Sequence, residues 1–205
     1  MEFLNSTGLL LGGSWASGVN LYLTAAGLGI AHRFHWVTLP GELEILAHPL
    51  VIAVAIIIYL IEFFADKIPY VDSLWDSFHT IIRPAGGAAL GYLAMSEAGP
   101  AARMAASLVT GSIAMDSHLT KAASRAAINT SPEPVTNSVA SVTEDISVVG
   151  ILVLIARHPV IASLLVIAFL VFSIWFLKKM FRFVKRVFTP ARKPRADDGT
   201  KDSDA

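Results

Sequence analysis

Six hydrophobic stretches follow one another along the chain, separated by short polar or proline-containing breaks. The first stretch repeats small residues at Gly8 and Gly12, which suits a spanning helix packed closely against neighbours. Pro49–Phe64 is the clearest lipid-facing run, because no charge interrupts it from Val51 to Leu60. The pattern predicts an all-α, polytopic membrane helix bundle with hydrophobic segments at Leu9–Ile30, Pro49–Phe64, Pro84–Met95, Ala101–Met115, about Pro132–Arg157 and Val160–Leu177.

Two of these segments are shorter than the roughly 20 residues that a helix needs to cross the hydrocarbon core. Pro84–Met95 and Ala101–Met115 are therefore expected either to borrow residues from their flanking helices or to form a re-entrant hairpin. The stretch just before the first of them is predicted to be an amphipathic helix, because four polar residues recur at helical spacing. These residues are Asp72, Asp76, His79 and Arg83.

Composition supports a membrane protein. Of the 205 residues, 54% are hydrophobic and only 16% are charged, against roughly 25% charged residues in ordinary soluble domains. The mean hydropathy is +0.60. A soluble enzyme, a disordered protein and a nucleic-acid binder are poor interpretations of such a chain, and no nucleic-acid partner is expected. The lack of cysteine excludes disulfides, thiolate metal sites and cysteine nucleophiles.

Basic residues are concentrated near the C-terminus. Eight of the 16 lie between Lys178 and Arg195, where there is no acidic residue. Lysine and arginine favour the cytoplasmic side of a membrane, so both termini are predicted to be cytoplasmic. We expect a multi-pass protein of the bacterial inner membrane, with one transmembrane domain over residues 1–188 and a disordered cytoplasmic tail over 189–205. The start of the chain lacks a positive n-region, so no cleaved signal peptide is expected.

Ionisable and amide side chains cluster beside or inside the hydrophobic segments. Charges at membrane depth are costly, so their grouping indicates function. We predict that they line one polar cavity that faces the cytoplasm. The candidate residues are Glu62, Asp66, Lys67, Asp72, Asp76, His79, Arg83, His118, Lys121, Arg125, Asn129, Glu133, Asn137, Glu144 and Asp145.

Within this set, the Asn137–Ser141–Asp145 spacing suggests one helix face. It predicts that Asp145 points to the polar centre and pairs with Lys121 or Arg125, with Glu144 toward the edge. A buried carboxylate needs such a cation or hydrogen bonds.

The residue types permit several chemistries without specifying one. Asp72, Asp76 and His79, with Glu62 or Asp66 nearby, permit a divalent metal site, and Lys121 and Arg125 suit a phosphate or carboxylate. Taken singly, such residues are more often interfacial anchors or helix caps. There is no Walker loop, HExxH or GxSxG motif. Catalytic residues and metal ligands therefore stay unassigned, and no cofactor is expected.

Two sequence blocks carry a family resemblance. The first runs from Glu62 to Pro84 and contains EFFADKIP, VDSLWD and IRP; the second contains HLTK and NTSPEP, between His118 and Asn137. The chain resembles, from about Ser17 to Val171, a bacterial integral membrane family catalogued as domain of unknown function 4126. The resemblance implies a multi-spanning inner-membrane protein and implies no activity.

Three functions remain open from sequence. The leading hypothesis is a small transporter, channel or lipid flippase, because short or interrupted hydrophobic segments are a usual pointer to a transport site. A membrane-embedded enzyme acting on a phosphorylated lipid is the first alternative, and a structural or assembly protein of the membrane is the second. The expected partners are membrane lipids and further copies of the chain in a homo-oligomer, which its Gly/Ala-rich faces permit.

Overall fold

The computed structural model describes residues 2–129 and 134–188, and all regular structure in these ranges is helical. This confirms the all-α prediction. Glu133, a predicted site residue, and the predicted disordered tail 189–205 lie outside the described residues. The helices are α1 Glu2–Val19, α2 Leu21–Arg33, a 3₁₀ helix Gly41–Ala47, α3 Pro49–Ala65, α4 Pro69–Ala94, α5 Pro100–Ile128, α6 Pro134–Arg157 and α7 Pro159–Phe188.

Proline sets the start of each helix from α3 to α7. At the first helical position the missing N–H costs nothing, and the fixed φ angle is already helical. The predicted boundary between the segments that end at Arg157 and begin at Val160 is confirmed at His158-Pro159, because α6 ends at Arg157 and α7 begins at Pro159. The prediction of Pro49–Phe64 is also confirmed to within one residue by α3.

The first hydrophobic segment is not one helix. Asn20 interrupts it with an extended backbone, φ −148° and ψ 99°, and separates α1 from α2. The Asn20 Oδ1 accepts a hydrogen bond from the Leu23 N–H at 3.0 Å, which is the usual action of an N-cap residue. The prediction of a single spanning helix over Leu9–Ile30 was therefore wrong, because a side-chain cap begins a second helix inside an apolar run.

The two short hydrophobic segments are parts of long helices. Pro84 does not start a helix but lies inside α4, which has 26 residues, and Ala101–Met115 lies inside α5, which has 29. At 1.5 Å per residue these helices are about 39 and 44 Å long, more than the roughly 30 Å of a hydrocarbon core. Both segments therefore borrow residues from their flanking helices, which was the first of the two alternatives left open by the sequence.

Candidate membrane spans are fewer than the six predicted hydrophobic segments. Within the described ranges, two helical stretches are long and apolar enough to cross a membrane, Val135–Arg157 and Pro159–Arg182. A third is added if Gly41–Ala47 and Pro49–Ala65, which meet at a 65° bend, form one broken span. The structure thus supports a membrane protein with two or three such spans, and the six segments remain a prediction.

Helix α1 lies at the centre of the bundle, in contact with α2, α4, α5, α6 and α7. Helices α4 and α5 form the most extensive pair and run antiparallel. Two glycines allow close approaches to α5: a Cβ at Gly18 of α1 would collide with the Ser117 hydroxyl, and one at Gly87 of α4 would collide with Ala114. This close packing brings the polar faces of α4 and α5 against the end of α1.

Candidate functional site

Eight charged side chains form a continuous buried cluster, which we call the charge network. Seven of them are at most 5% exposed, and the Glu144 side chain is 19% exposed. Burial of charge on this scale is unfavourable unless each group has close partners. The members are Glu62 and Asp66 from the end of α3, Asp72, Asp76 and Arg83 from α4, Lys121 and Arg125 from α5, and Glu144 from α6.

Arg83 forms one end of the network. Its guanidinium donates to the Glu62 carboxylate, and both side chains are 0% exposed. Nη1 also lies 3.1 Å from His118 Nδ1 and 3.3 Å from the Gly18 carbonyl, and 3.4 Å from Asp76 Oδ1. An arginine with several acceptors in place is the arrangement that a buried guanidinium requires.

The hydrogen-bond partners define a neutral tautomer for His118 and fit the neutral form of His79. His118 Nδ1 must accept, because Arg83 only donates. Its Nε2 then donates to Thr80 Oγ1 at 3.1 Å. His79 Nδ1 donates to the Trp75 carbonyl at 2.8 Å, and in the neutral form its Nε2, 3.2 Å from the Tyr22 hydroxyl, accepts from that group. Neither histidine adds positive charge to the network in this arrangement.

Lys121 joins the two ends of the network. Its ammonium group lies 3.4 Å from the Val19 carbonyl and within 4.0 Å of four carboxylates. Because one cation faces acids from three helices, it links α3, α4 and α6 to α5. The carboxylates within 4.0 Å of Nζ are Asp66 at 3.0 Å, Glu144 at 3.3 Å, Glu62 at 3.9 Å and Asp76 at 4.0 Å.

Arg125 forms the other end. Its Nε and Nη2 each donate to Glu144 at 2.9 Å, the bidentate geometry that favours arginine over lysine. Nη1 donates to the Asn137 carbonyl at 3.0 Å, and Nε lies 3.9 Å from Asp72 Oδ1. Asn129 Nδ2 donates to the other oxygen of Asp72 at 3.2 Å, which extends the polar chain to the end of α5.

The predicted partner of Asp145 was wrong, because Glu144 pairs with Lys121 and Arg125 instead. Asp145 accepts hydrogen bonds from Asn20 Nδ2 and the Tyr59 hydroxyl, each at 3.0 Å.

Helix geometry explains the error. At about 100° per residue, position 144 lies only about 20° from the direction of position 137, whereas position 145 lies about 80° away. The buried face of α6 therefore continues from Asn137 and Ser141 through Glu144 to Val148.

Most of the other predicted residues lie in or beside the network. His79, His118, Asn129 and Asn137 contact it or pack against it, and the α4 set and the α5 set converge. Lys67 does not join: its Nζ donates to the Phe63 carbonyl at 2.8 Å and lies over the Phe63 ring.

Sequence reasoning missed Asn20, Tyr22 and Tyr59. The sequence signal for them is weak: each is a single polar group within or beside an apolar run, and only Asn20 stands out as an amide inside such a run.

The metal hypothesis gains no support from the geometry. Among residues 2–129 and 134–188, no three histidine or acidic side chains converge in a way that could hold a metal ion. The acids are instead separated by Arg83, Lys121 and Arg125, whose charges occupy the positions between them. Such an alternation suits mutual neutralisation better than coordination of a divalent cation.

Comparison with known proteins assigns a family and no activity. Neither the curated proteins nor the solved structures gave a match. A family model does match residues 8–179, a range that contains α2 to α6, most of α1 and α7, and every member of the charge network. The chain therefore belongs to the family described as domain of unknown function (DUF4126).

Proposed function

We propose that this chain is a small multi-pass transport protein of the bacterial inner membrane, with the charge network at the centre of its transport path. The observation that carries the proposal is the burial of eight charged side chains, on α3 to α6, inside a bundle with an apolar exterior. Ionisable groups inside membrane helices usually mark ion or substrate pathways, because they are too costly to keep for packing alone.

Two helix breaks beside the network support transport. The chain is interrupted at Asn20, between α1 and α2, and at Asp66–Ile68, between α3 and α4. Both breaks contribute to the polar centre: the carbonyls before Asn20 face Arg83 and Lys121, and Asp66 binds Lys121. Interrupted helices whose ends face a polar site are a recurring construction in transporters.

The charge balance argues against the phospholipid enzyme. Lys121 and Arg125, the residues expected to bind phosphate, are both in contact with Glu144 and Asp66. A phosphate entering the network would meet more carboxylates than cations, and like charges at short range in a low-dielectric site repel strongly. A purely structural network remains the outcome to be tested against transport.

The proposed orientation has both termini in the cytoplasm, with residues 1–188 as one membrane domain surrounded by lipid and assembled as a homo-oligomer. The basic segment Lys178–Arg195 supports this orientation. A reporter active only in the cytoplasm, fused after Arg195, should be active. Activity of a periplasmic reporter at the same position, with a silent cytoplasmic one, would reverse the orientation.

Transport is tested with purified protein in proteoliposomes on a solid-supported membrane. A panel of cations, anions, amino acids and amines is applied while charge movement and internal pH are recorded. Wild type and Arg103→Met should respond to the same solutes, because Arg103 pairs with Glu42 outside the network. Lys121→Met should lose the response.

Analysis of lipid extracts and of protein stability distinguishes the enzyme and structural hypotheses from transport. If no solute in the panel produces a response and lipid extracts show a changed phospholipid, the enzyme hypothesis replaces the transport one. If neither changes, and Lys121→Met alters only the stability of the protein, the network is structural.

A further inference from the structure

The charge network has more carboxylates than cations. Its described members include five acids and only three bases, Arg83, Lys121 and Arg125, so two negative charges are in excess if all groups are ionised. Asp145 and Lys67 lie beside the network and add one charge of each sign, which leaves the excess unchanged. His79 and His118 are neutral in the hydrogen-bond arrangement described above.

Several acceptor oxygens in the network lack a donor. Among the described residues, no hydrogen bond reaches Glu62 Oε2, Asp66 Oδ1 or either carboxylate oxygen of Asp76. The Asp76 side chain is only 7% exposed, and its nearest cations, Arg83 and Lys121, are 3.4 and 4.0 Å away. A buried carboxylate with both oxygens unsatisfied loses its hydration without an equivalent replacement.

Helix α6 supplies a second, independent sign of a missing partner. Asn137 is 0% exposed and Ser141 is 1% exposed, yet neither side chain has a hydrogen-bond partner among the described residues. Both lie on the face of α6 that carries Glu144 into the network, and the Asn137 carbonyl already accepts from Arg125. Buried amides and hydroxyls are nearly always satisfied by protein, water or a ligand.

We infer that the charge network binds exchangeable monovalent positive charge, up to two per chain, with Asp76 as the main binding residue. This positive charge has two sources, a proton on a carboxylate or an alkali metal ion held by one carboxylate and neutral oxygens, since no three acidic or histidine side chains converge among the described residues. Binding balances the excess of acid, and Asn137 and Ser141 are the buried neutral groups without a partner on the α6 face that carries Glu144. The inference rests on the proposed function only in making this cation the coupled or transported ion.

The first measurement separates the two sources. Purified protein in nanodiscs, in weak buffer, receives NaCl or KCl, with choline chloride as the control for ionic strength. Protons released to a pH dye, together with a higher unfolding temperature, show exchange of an alkali ion for protons. A higher unfolding temperature without proton release shows alkali binding alone. If the salts have no effect, infrared spectroscopy must show the absorption of a protonated buried carboxyl.

A matched pair of variants tests whether Asp76 binds the exchangeable positive charge. Asp76→Asn keeps the size of the side chain and lowers the excess of acid from two to one, so proton release or alkali binding should fall by about half. If protons alone are bound, the infrared signal of a protonated carboxyl should decrease instead. Glu42→Gln, which removes an exposed carboxylate paired with Arg103, should behave as wild type.

The inference is overturned if wild type shows neither an alkali effect nor a protonated carboxyl, or if Asp76→Asn folds and leaves both signals unchanged. Failure of the proposed function looks different. In that case the cation binds and depends on Asp76, while proteoliposomes move no solute and no charge.

Discussion

Removal of Arg83 tests whether the network is as desolvated as its geometry indicates. In Arg83→Met the methionine fills most of the space, while Glu62 loses its closest cation and the excess of acid rises from two to three. Removing one partner of a buried ion pair typically costs about 3–5 kcal/mol, because the other charge stays buried without compensation. Both side chains of this pair are 0% exposed, so we expect a loss in that range.

A double variant separates the uncompensated charge from lost packing. Glu62→Gln in the Arg83→Met background removes the orphaned charge, so it should recover at least about half of the lost stability. Arg103→Met is the control: it breaks an ion pair whose acid, Glu42, is 58% exposed. An exposed pair of this kind contributes only about 0–1 kcal/mol.

The assay is reversible unfolding of the purified protein in mixed detergent micelles, followed by circular dichroism as the fraction of denaturing detergent rises. The reasoning fails if Arg83→Met costs less than about 1 kcal/mol, the level of the exposed control. It also fails if Glu62→Gln makes the Arg83→Met protein still less stable, because the carboxylate would then be stabilising without its arginine.

Two further predictions follow from helix packing. Double-variant cycles in the same unfolding assay should give a coupling energy of at least about 1 kcal/mol between Arg125 and Glu144. The coupling energy between Arg125 and Asp145 should be close to zero. Equal coupling energies would contradict the described rotation of α6. Gly18→Ala should destabilise by about 1–3 kcal/mol through its collision with α5, whereas Gly150→Ala, where a Cβ meets nothing within 4 Å, should stabilise slightly. A neutral Gly18→Ala would show that α1 and α5 are further apart.

The sequence predicted those parts of the fold that local chemistry decides. Proline at the first position defined the start of α3, and the His158-Pro159 break separated α6 from α7, because proline acts on its own backbone and needs no tertiary context. The spacing of Asp72 and Asp76 in α4 correctly placed them on one buried face. Helical periodicity is a local property, so it can be recognised in the sequence without knowledge of tertiary contacts.

Tertiary packing decided what the sequence left open or misassigned. Whether the Pro84–Met95 segment borrows residues from the preceding helix stayed open from sequence, and α4 runs through Pro84. Asp145 was assigned to the polar centre from an i, i+4, i+8 series, whereas the buried face follows i, i+4, i+7. The choice between Glu144 and Asp145 depends on the rotation of α6 against α5, and tertiary packing sets that rotation.

The break at Asn20 connects the fold to the network. In an uninterrupted helix the carbonyls of Gly18 and Val19 would accept from the N–H groups four residues later, the second of which belongs to Leu23. The Asn20 side chain takes the Leu23 N–H instead, and the two carbonyls accept from Arg83 and Lys121 at 3.3 and 3.4 Å.

The C-terminal end of α1 also carries partial negative charge, so the break places a polar, partly negative surface against two buried cations. The glycine at position 18 permits that approach, because any larger side chain would collide with α5. One amide within an apolar segment thus ends α1, begins α2 and frees the backbone oxygens that help to hold two of the three cations in the network.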